Sequence, residues 1–130
     1  MLKLSGKKPG NLGLKNNKLS KCSWKPNCVC SQYKDDVDHY IEPLLADPFD
    51  ATWRKLVDVI LDDNSATIKT QNENYLHVEY SSKLLGFVDD VEFLAEPEAG
   101  LIQVRSASRL GVRDFGVNRK RIEAIRSKLG

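Results

Sequence analysis

The side chains able to do chemistry lie mainly in three short runs: Tyr75-Leu-His-Val-Glu79, Gly86-Phe-Val-Asp-Asp-Val-Glu-Phe93 and Arg105-Ser-Ala-Ser-Arg109. An imidazole beside carboxylates can serve as a general base, so His77 oriented by Glu79 or Glu92 is one candidate. Arg105 or Arg109 would hold an anionic substrate, and Ser106 or Ser108 would be the nucleophile. The thiols Cys22, Cys28 and Cys30 form a second, candidate redox set. Pro26 and Asn27 form turns and could bring Cys22 to Cys28 for a disulfide, which needs an oxidising compartment. A zinc site would take His39 as its fourth ligand, but the spacing C-x5-C-x-C matches no strong zinc pattern. The third reading is small, buried, unreactive thiols. His39 beside Asp35, Asp36 and Asp38 could also gather a metal, although such a run is more often a solvated face. Arg119, Lys120 and Arg121 form a candidate anion-binding group.

These groups need elements to position them. Residues 47–63 carry Phe49, Trp53, Leu56, Val57, Ile60 and Leu61 on one helical stripe, with Asp47 as the expected cap and Pro48 at the first turn. Segments 66–71, 75–82, 87–95 and 101–108 read as strands, with Asn72-Glu-Asn74 and Glu96–Gly100 as turns. Upstream, Tyr40, Ile41, Leu44 and Leu45 can pack on this body. A terminal helix begins near Arg119, with Asn118 as its expected cap and Val117 stapled to Ile122. Ile122, Ile125 and Leu129 are its buried stripe. Positive charge in its first turn opposes the helix dipole, so those cations need acidic neighbours or an anionic ligand.

Alternation fixes the facing of the strands. Leu76, Val78 and Tyr80 share one face with Val91, Phe93, Ile102 and Val104. Val78 opposite Val91 puts His77 near Glu92 and Glu79 near Asp90. Val91 opposite Val104 sets Asp90 against Arg105 and Asp89 against Ser106. A register shift of two residues changes the partners and keeps the facing. His77, Glu79, Asp90, Glu92 and Arg105 therefore gather on the second face, with Lys69 joining from the first strand, as a candidate binding cluster that Arg109 extends. Ser106 falls on the opposite side from His77, which argues against an esterase-type triad. Asp89 falls on the apolar side, where a carboxylate needs a partner.

Composition bounds the rest. The chain has 130 residues, 41% hydrophobic and 29% charged, enough for one soluble domain. Residues 1–34 hold eight lysines and no acid, leaving twelve basic against eighteen acidic residues elsewhere. The reading is a basic irregular arm over 1–20 and a single α+β domain over 21–130. No recognition motif accompanies the arm, which argues against nucleic acid as a partner. No secretory signal core or apolar span is visible, so a cytoplasmic protein is the default expectation.

The runs Gly86–Phe93, Val104–Arg126 and the earlier Pro26-Asn-Cys-Val-Cys-Ser-Gln32 resemble the uncharacterised family catalogued as domain of unknown function 1499. The similarity covers about residues 20–129 and rests on motifs that are specific in combination. The resemblance implies that Cys22 and Cys28 match common family cysteines and that Cys30 stands where serine is usual. It implies no activity, cofactor or substrate. The fold expected from the residues is an antiparallel sheet of about four strands with two main helices on one face. No phosphate loop or nucleophile–base signature is present, and no cofactor is implied. The leading expectation is a non-catalytic module that binds a small ligand or a protein partner. The alternatives are a small enzyme using the polar cluster, or redox or metal chemistry at the cysteines.

Overall fold

A computed structural model describes residues 6–82 and 86–130. Residues 1–5 of the expected arm lie outside the described residues. The elements, in order, are β1 (Cys28–Cys30), β2 (Leu44–Leu45), α1 (Phe49–Leu61), β3 (Ala66–Gln71), β4 (Tyr75–Ser81), β5 (Val88–Glu96), β6 (Leu101–Ser108) and α2 (Val117–Leu129). The fold is α+β, and all the strand pairs are antiparallel, in the order β1-β6-β5-β4-β3. β2 also pairs with β6, beyond β1. The sheet thus has six strands, more than the four expected. The two additional strands are only three and two residues long, too short to show a period of two.

Both helices cover one face. Leu56 and Ile60 of α1 and Ile122 and Ile125 of α2 meet Leu76, Val78, Val91, Phe93, Ile102 and Val104 in a single apolar core. Phe49, Trp53 and Val57 pack at its margin as their spacing predicts, and Val59 joins them. Leu61 is 67% exposed, so the stripe stops at Ile60. Ile41 and Leu44 are buried as expected, whereas Leu45 points out of β2 to solvent.

The helix starts differ from expectation. Pro48 is extended and occupies the cap position of α1, with no side-chain cap bond, so Asp47 lies one residue too far out. At α2 the cap position is Gly116, in left-handed backbone at φ 80°. The Asp114 carboxylate supplies the capping contacts, accepting the Gly116 N–H at 2.9 Å and the Asn118 N–H at 3.1 Å. Asn118 is wholly buried and serves a different purpose, described below. Val117 is 46% exposed.

The β4–β5 register is as derived: Val78 faces Val91, His77 faces Glu92 and Glu79 faces Asp90. β5–β6 is shifted by two residues, so Glu92 faces Arg105, Asp90 faces Ala107 and Asp89 faces Ser108. The facing is preserved. A bulge between Ile68 and Thr70 takes Lys69 out of register, and it stands exposed, away from the cluster.

The second sheet face is not open to solvent. Lys15 and Lys18 exchange backbone hydrogen bonds at 2.9 and 3.0 Å around Asn16 and Asn17, both in left-handed backbone. This small hairpin and the residues after it lie across the sheet. Leu19 is 1% exposed and packs with Leu14, Tyr33, Tyr75, Leu94 and the cysteines in a second apolar cluster. The chain folds on both sides of the sheet, and for that reason Tyr75, Leu76, His77 and Val78 are all buried in succession.

Candidate functional site

The predicted polar cluster forms, as a buried layer between sheet and arm. Asp90 is 1% exposed and accepts a 2.7 Å hydrogen bond at Oδ1 from the His77 ring. The Arg109 guanidinium reaches the same carboxylate through Nε at 2.8 Å and Nη2 at 2.9 Å, and Glu79 through Nη2 at 2.7 Å. Burial alone would raise the Asp90 pKa, but the bonds from His77 and Arg109 hold it below the ordinary carboxylate value. The hydrogen bond to Asp90, opposed by partial burial, pushes the Arg109 pKa up. Arg109 thus takes the place opposite Asp90 that the expected register gave to Arg105. It arrives from just past the end of β6 because the strand is shifted by two residues.

Arg105 lies instead beside Glu92, Nη1 to Oε1 at 3.7 Å, and donates its Nε–H to the Ser20 carbonyl at 2.9 Å. Glu92 is fully buried. Its Oε2 accepts the Tyr75 hydroxyl at 2.5 Å and the Gly13 N–H at 2.9 Å. Burial and the bond to Glu92 push the Tyr75 hydroxyl pKa well up. Glu92 Oε1 has no hydrogen-bond partner among the described residues. His77, Glu79 and Asp90 bring ligand atoms within 4.8 Å of one another, but Arg109 already occupies that position as the counter-cation. The five expected members and Arg109 are together, under a cover that sequence periodicity does not reveal.

The cysteines resolve into one disulfide, Cys22–Cys28, and one buried free thiol, Cys30. Burial pushes the Cys30 pKa up, which lowers its thiolate fraction. His39 is 8% exposed. Its Nδ1 meets the Asp36 carboxylate at 2.9 Å, and its Nε2 meets the Lys25 carbonyl at 2.9 Å. Burial opposes protonation, but these acceptors and the neighbouring Asp36 and Asp38 charges raise the His39 pKa overall. Both ring nitrogens are thus engaged, and among the described residues His39 belongs to no group of three side chains placed closely enough to hold a metal.

On the helix side, Asp89 finds its partner in Arg121, whose Nη2 donates at 2.6 Å. Arg121 Nη1 donates to Asn118 Oδ1 at 2.7 Å and to Ser106 Oγ at 3.1 Å, and its guanidinium stacks 4.8 Å from the Tyr80 ring centre. Burial pushes the Tyr80 hydroxyl pKa up to about 12, with the Asp63 charge adding to the rise. Ser106 Oγ donates to Asn118 at 2.6 Å, so the serine is held by α2, across the sheet from His77. Asn118 also donates to the Asn27 carbonyl at 3.1 Å and to Ser108 Oγ at 2.9 Å. The asparagine that reads as a cap is therefore the hub joining β6, α2 and the turn before β1. The Asp114–Asn118 spacing of four was its available signal. Of the three first-turn cations, Arg121 is held internally, Arg119 reaches the Asp38 carbonyl at 3.5 Å, and Lys120 is exposed.

A cleft of about 570 Å³ opens where β4 and β6 end and β5 and α2 begin. Asp89, Ser108 and Arg121 line it together with Tyr80, and Phe87, Leu110, Phe115 and Val117 supply apolar walls. Phe115 is 86% exposed at φ 54°, a conformation a bulky side chain rarely adopts. The polar groups Asp89, Arg121 and Ser108 already have partners, so the cleft offers chiefly apolar surface. Periodicity missed it because its walls come from turns, and turns have no period.

No helix among the described residues is long and apolar enough to cross a membrane. No curated protein and no solved structure matches the chain significantly. The family model described as protein of unknown function (DUF1499) matches residues 18–129. That match takes in the arm segment from Lys18, the disulfide loop, the whole sheet and both helices, and the chain therefore belongs to the DUF1499 family.

Proposed function

We propose that the protein is a non-catalytic binding module that seats a small, largely apolar ligand in the cleft at the start of α2. The observation that carries this reading is the cleft itself. It combines ligand-sized volume, exposed apolar side chains and a floor whose Asp89, Arg121 and Ser108 are already paired. Apolar walls reward burial of apolar ligand surface, and paired floor groups cost less to desolvate than free ones. Phe115 is the natural anchor, because a large aromatic held outward gains most from being covered. An enzyme reading lacks support here: His77 lies on the other sheet face, and Ser106 and Ser108 are held by Asn118.

Neutral probes test the proposal without responding to charge. Titration of the isotopically labelled chain with 1-hexanol, 1-decanol and 2-naphthol should shift the amides of Val88, Gly111 and Val117 saturably. Phe115→Ala and Val117→Asp should each weaken binding on the order of tenfold, the loss expected for about 1.4 kcal/mol of contact. Shifts spread over unrelated surfaces, or unchanged affinity in both variants, would overturn it.

A further inference from the structure

We infer that the loop closed by the Cys22–Cys28 disulfide roofs a second, separate site that takes a small oxyanion. A cavity of about 160 Å³ lies between this loop and β6. Its lining includes three basic side chains, Lys25, Arg105 and Arg109, and one acid, Asp90. The charges are not equivalent. Asp90 already accepts three hydrogen bonds, from His77 and twice from Arg109. Arg105 is 4% exposed, and among the described residues its only side-chain hydrogen bond leaves through Nε to Ser20. Among the described residues its two terminal nitrogens donate no hydrogen bond, and Nη1 makes only a loose ion pair with Glu92 Oε1 at 3.7 Å. Arg109 Nη1 is likewise unbonded, and Lys25 has no ion pair.

Among the described residues the only fully buried side-chain atom without a partner is Glu92 Oε1, so the free Arg105 donors face the cavity and an acceptor can reach them from it. An oxyanion is the matching acceptor, since a planar fork suits two oxygens of a phosphate, sulfate or carboxylate. The fold also places Lys25 deliberately. The disulfide ties its loop to β1, and His39 grips the Lys25 carbonyl at 2.9 Å. The roof, the buried arginine and the ligand's charge thus depend on one another. This site shares Ser108 with the cleft wall but draws its charge from the opposite face of the sheet.

The test uses the full oxidised chain and adds inorganic phosphate, sulfate or acetate at constant ionic strength held with chloride. Saturable shifts of the Asn27 amide and the Arg105 Nε–H are expected, with the tightest of the three oxyanions identifying the preferred head group. Arg105→Met would leave Glu92 buried without its counter-charge and threatens folding, so two milder variants carry the test. Ala107→Leu fills the cavity from its own lining, and Lys25→Ala removes one exposed-side charge. Each should weaken binding about tenfold or more, as loss of a charge-assisted contact does. Phe115→Ala should leave it unchanged, which separates this site from the cleft. A response that is linear in anion concentration, or equal in wild type, Ala107→Leu and Lys25→Ala, would mean an adventitious ion only and would overturn the inference.

Discussion

Replacing Asp90 by Asn tests whether the buried polar layer holds the fold together. The substitution keeps the shape and removes one charge from a carboxylate that is 1% exposed. It weakens the bond from His77 at 2.7 Å and both bonds from Arg109, at 2.8 and 2.9 Å. Arg109, only 7% exposed in its side chain, then keeps a single carboxylate, Glu79. Breaking a buried pair in this way costs about 3–5 kcal/mol, because the surviving charge stays desolvated. That is a large share of the roughly 5–15 kcal/mol that holds a domain folded. With a urea slope of about 2 kcal/mol per molar, the midpoint should fall by about 1.5–2.5 M. The double variant Asp90→Asn/Arg109→Met should be less unstable than the sum of its parts, since it removes the orphaned charge as well. The sign with pH follows from the depressed Asp90 pKa. The advantage of wild type over Asp90→Asn is full above the unfolded value near 3.8 and is lost as pH falls through the lower folded value. A loss under about 1 kcal/mol, additive with Arg109→Met, would refute the reasoning and point to a layer open to water.

Further outcomes follow from the same geometry. Without reductant only one thiol, Cys30, should react with an alkylating agent, and only on unfolding; Cys22→Ser/Cys28→Ser should lose about 2 kcal/mol, the chain-entropy value for so short a loop. Arg121→Met leaves Asp89, Asn118 and Ser106 short of partners and should cost about 1–3 kcal/mol in thermal unfolding; lysine should not rescue it, lacking the fork that reaches all three. His39 has a raised pKa, so the deficit of His39→Gln against wild type should be full below the unfolded value of 6.5 and fade as pH rises through the higher folded value. Urea midpoints measured from pH 5 to pH 9 check that sign.

What the sequence determined by itself is the facing of the strands. A side-chain period of two puts His77, Glu79, Asp90, Glu92 and Arg105 on one side of the sheet whatever the register, and Asp89 and Ser106 on the other. The spacing of apolar residues likewise determined α1 and the buried stripe of α2. Family membership was legible in the motifs for the same practical reason, that they occur together and in order. Tertiary structure alone decided the partners. A two-residue shift between β5 and β6 gave Asp90 to Arg109 and Glu92 to Arg105, and nothing local distinguishes one even register from the other. It also decided that the polar face is a buried layer. Leu19, the Lys15–Lys18 hairpin and the Cys22–Cys28 bond close over it through contacts between residues far apart in the chain, and no periodicity reports such contacts. The cleft arises the same way, from turns that meet only when β4, β5, β6 and α2 are brought together.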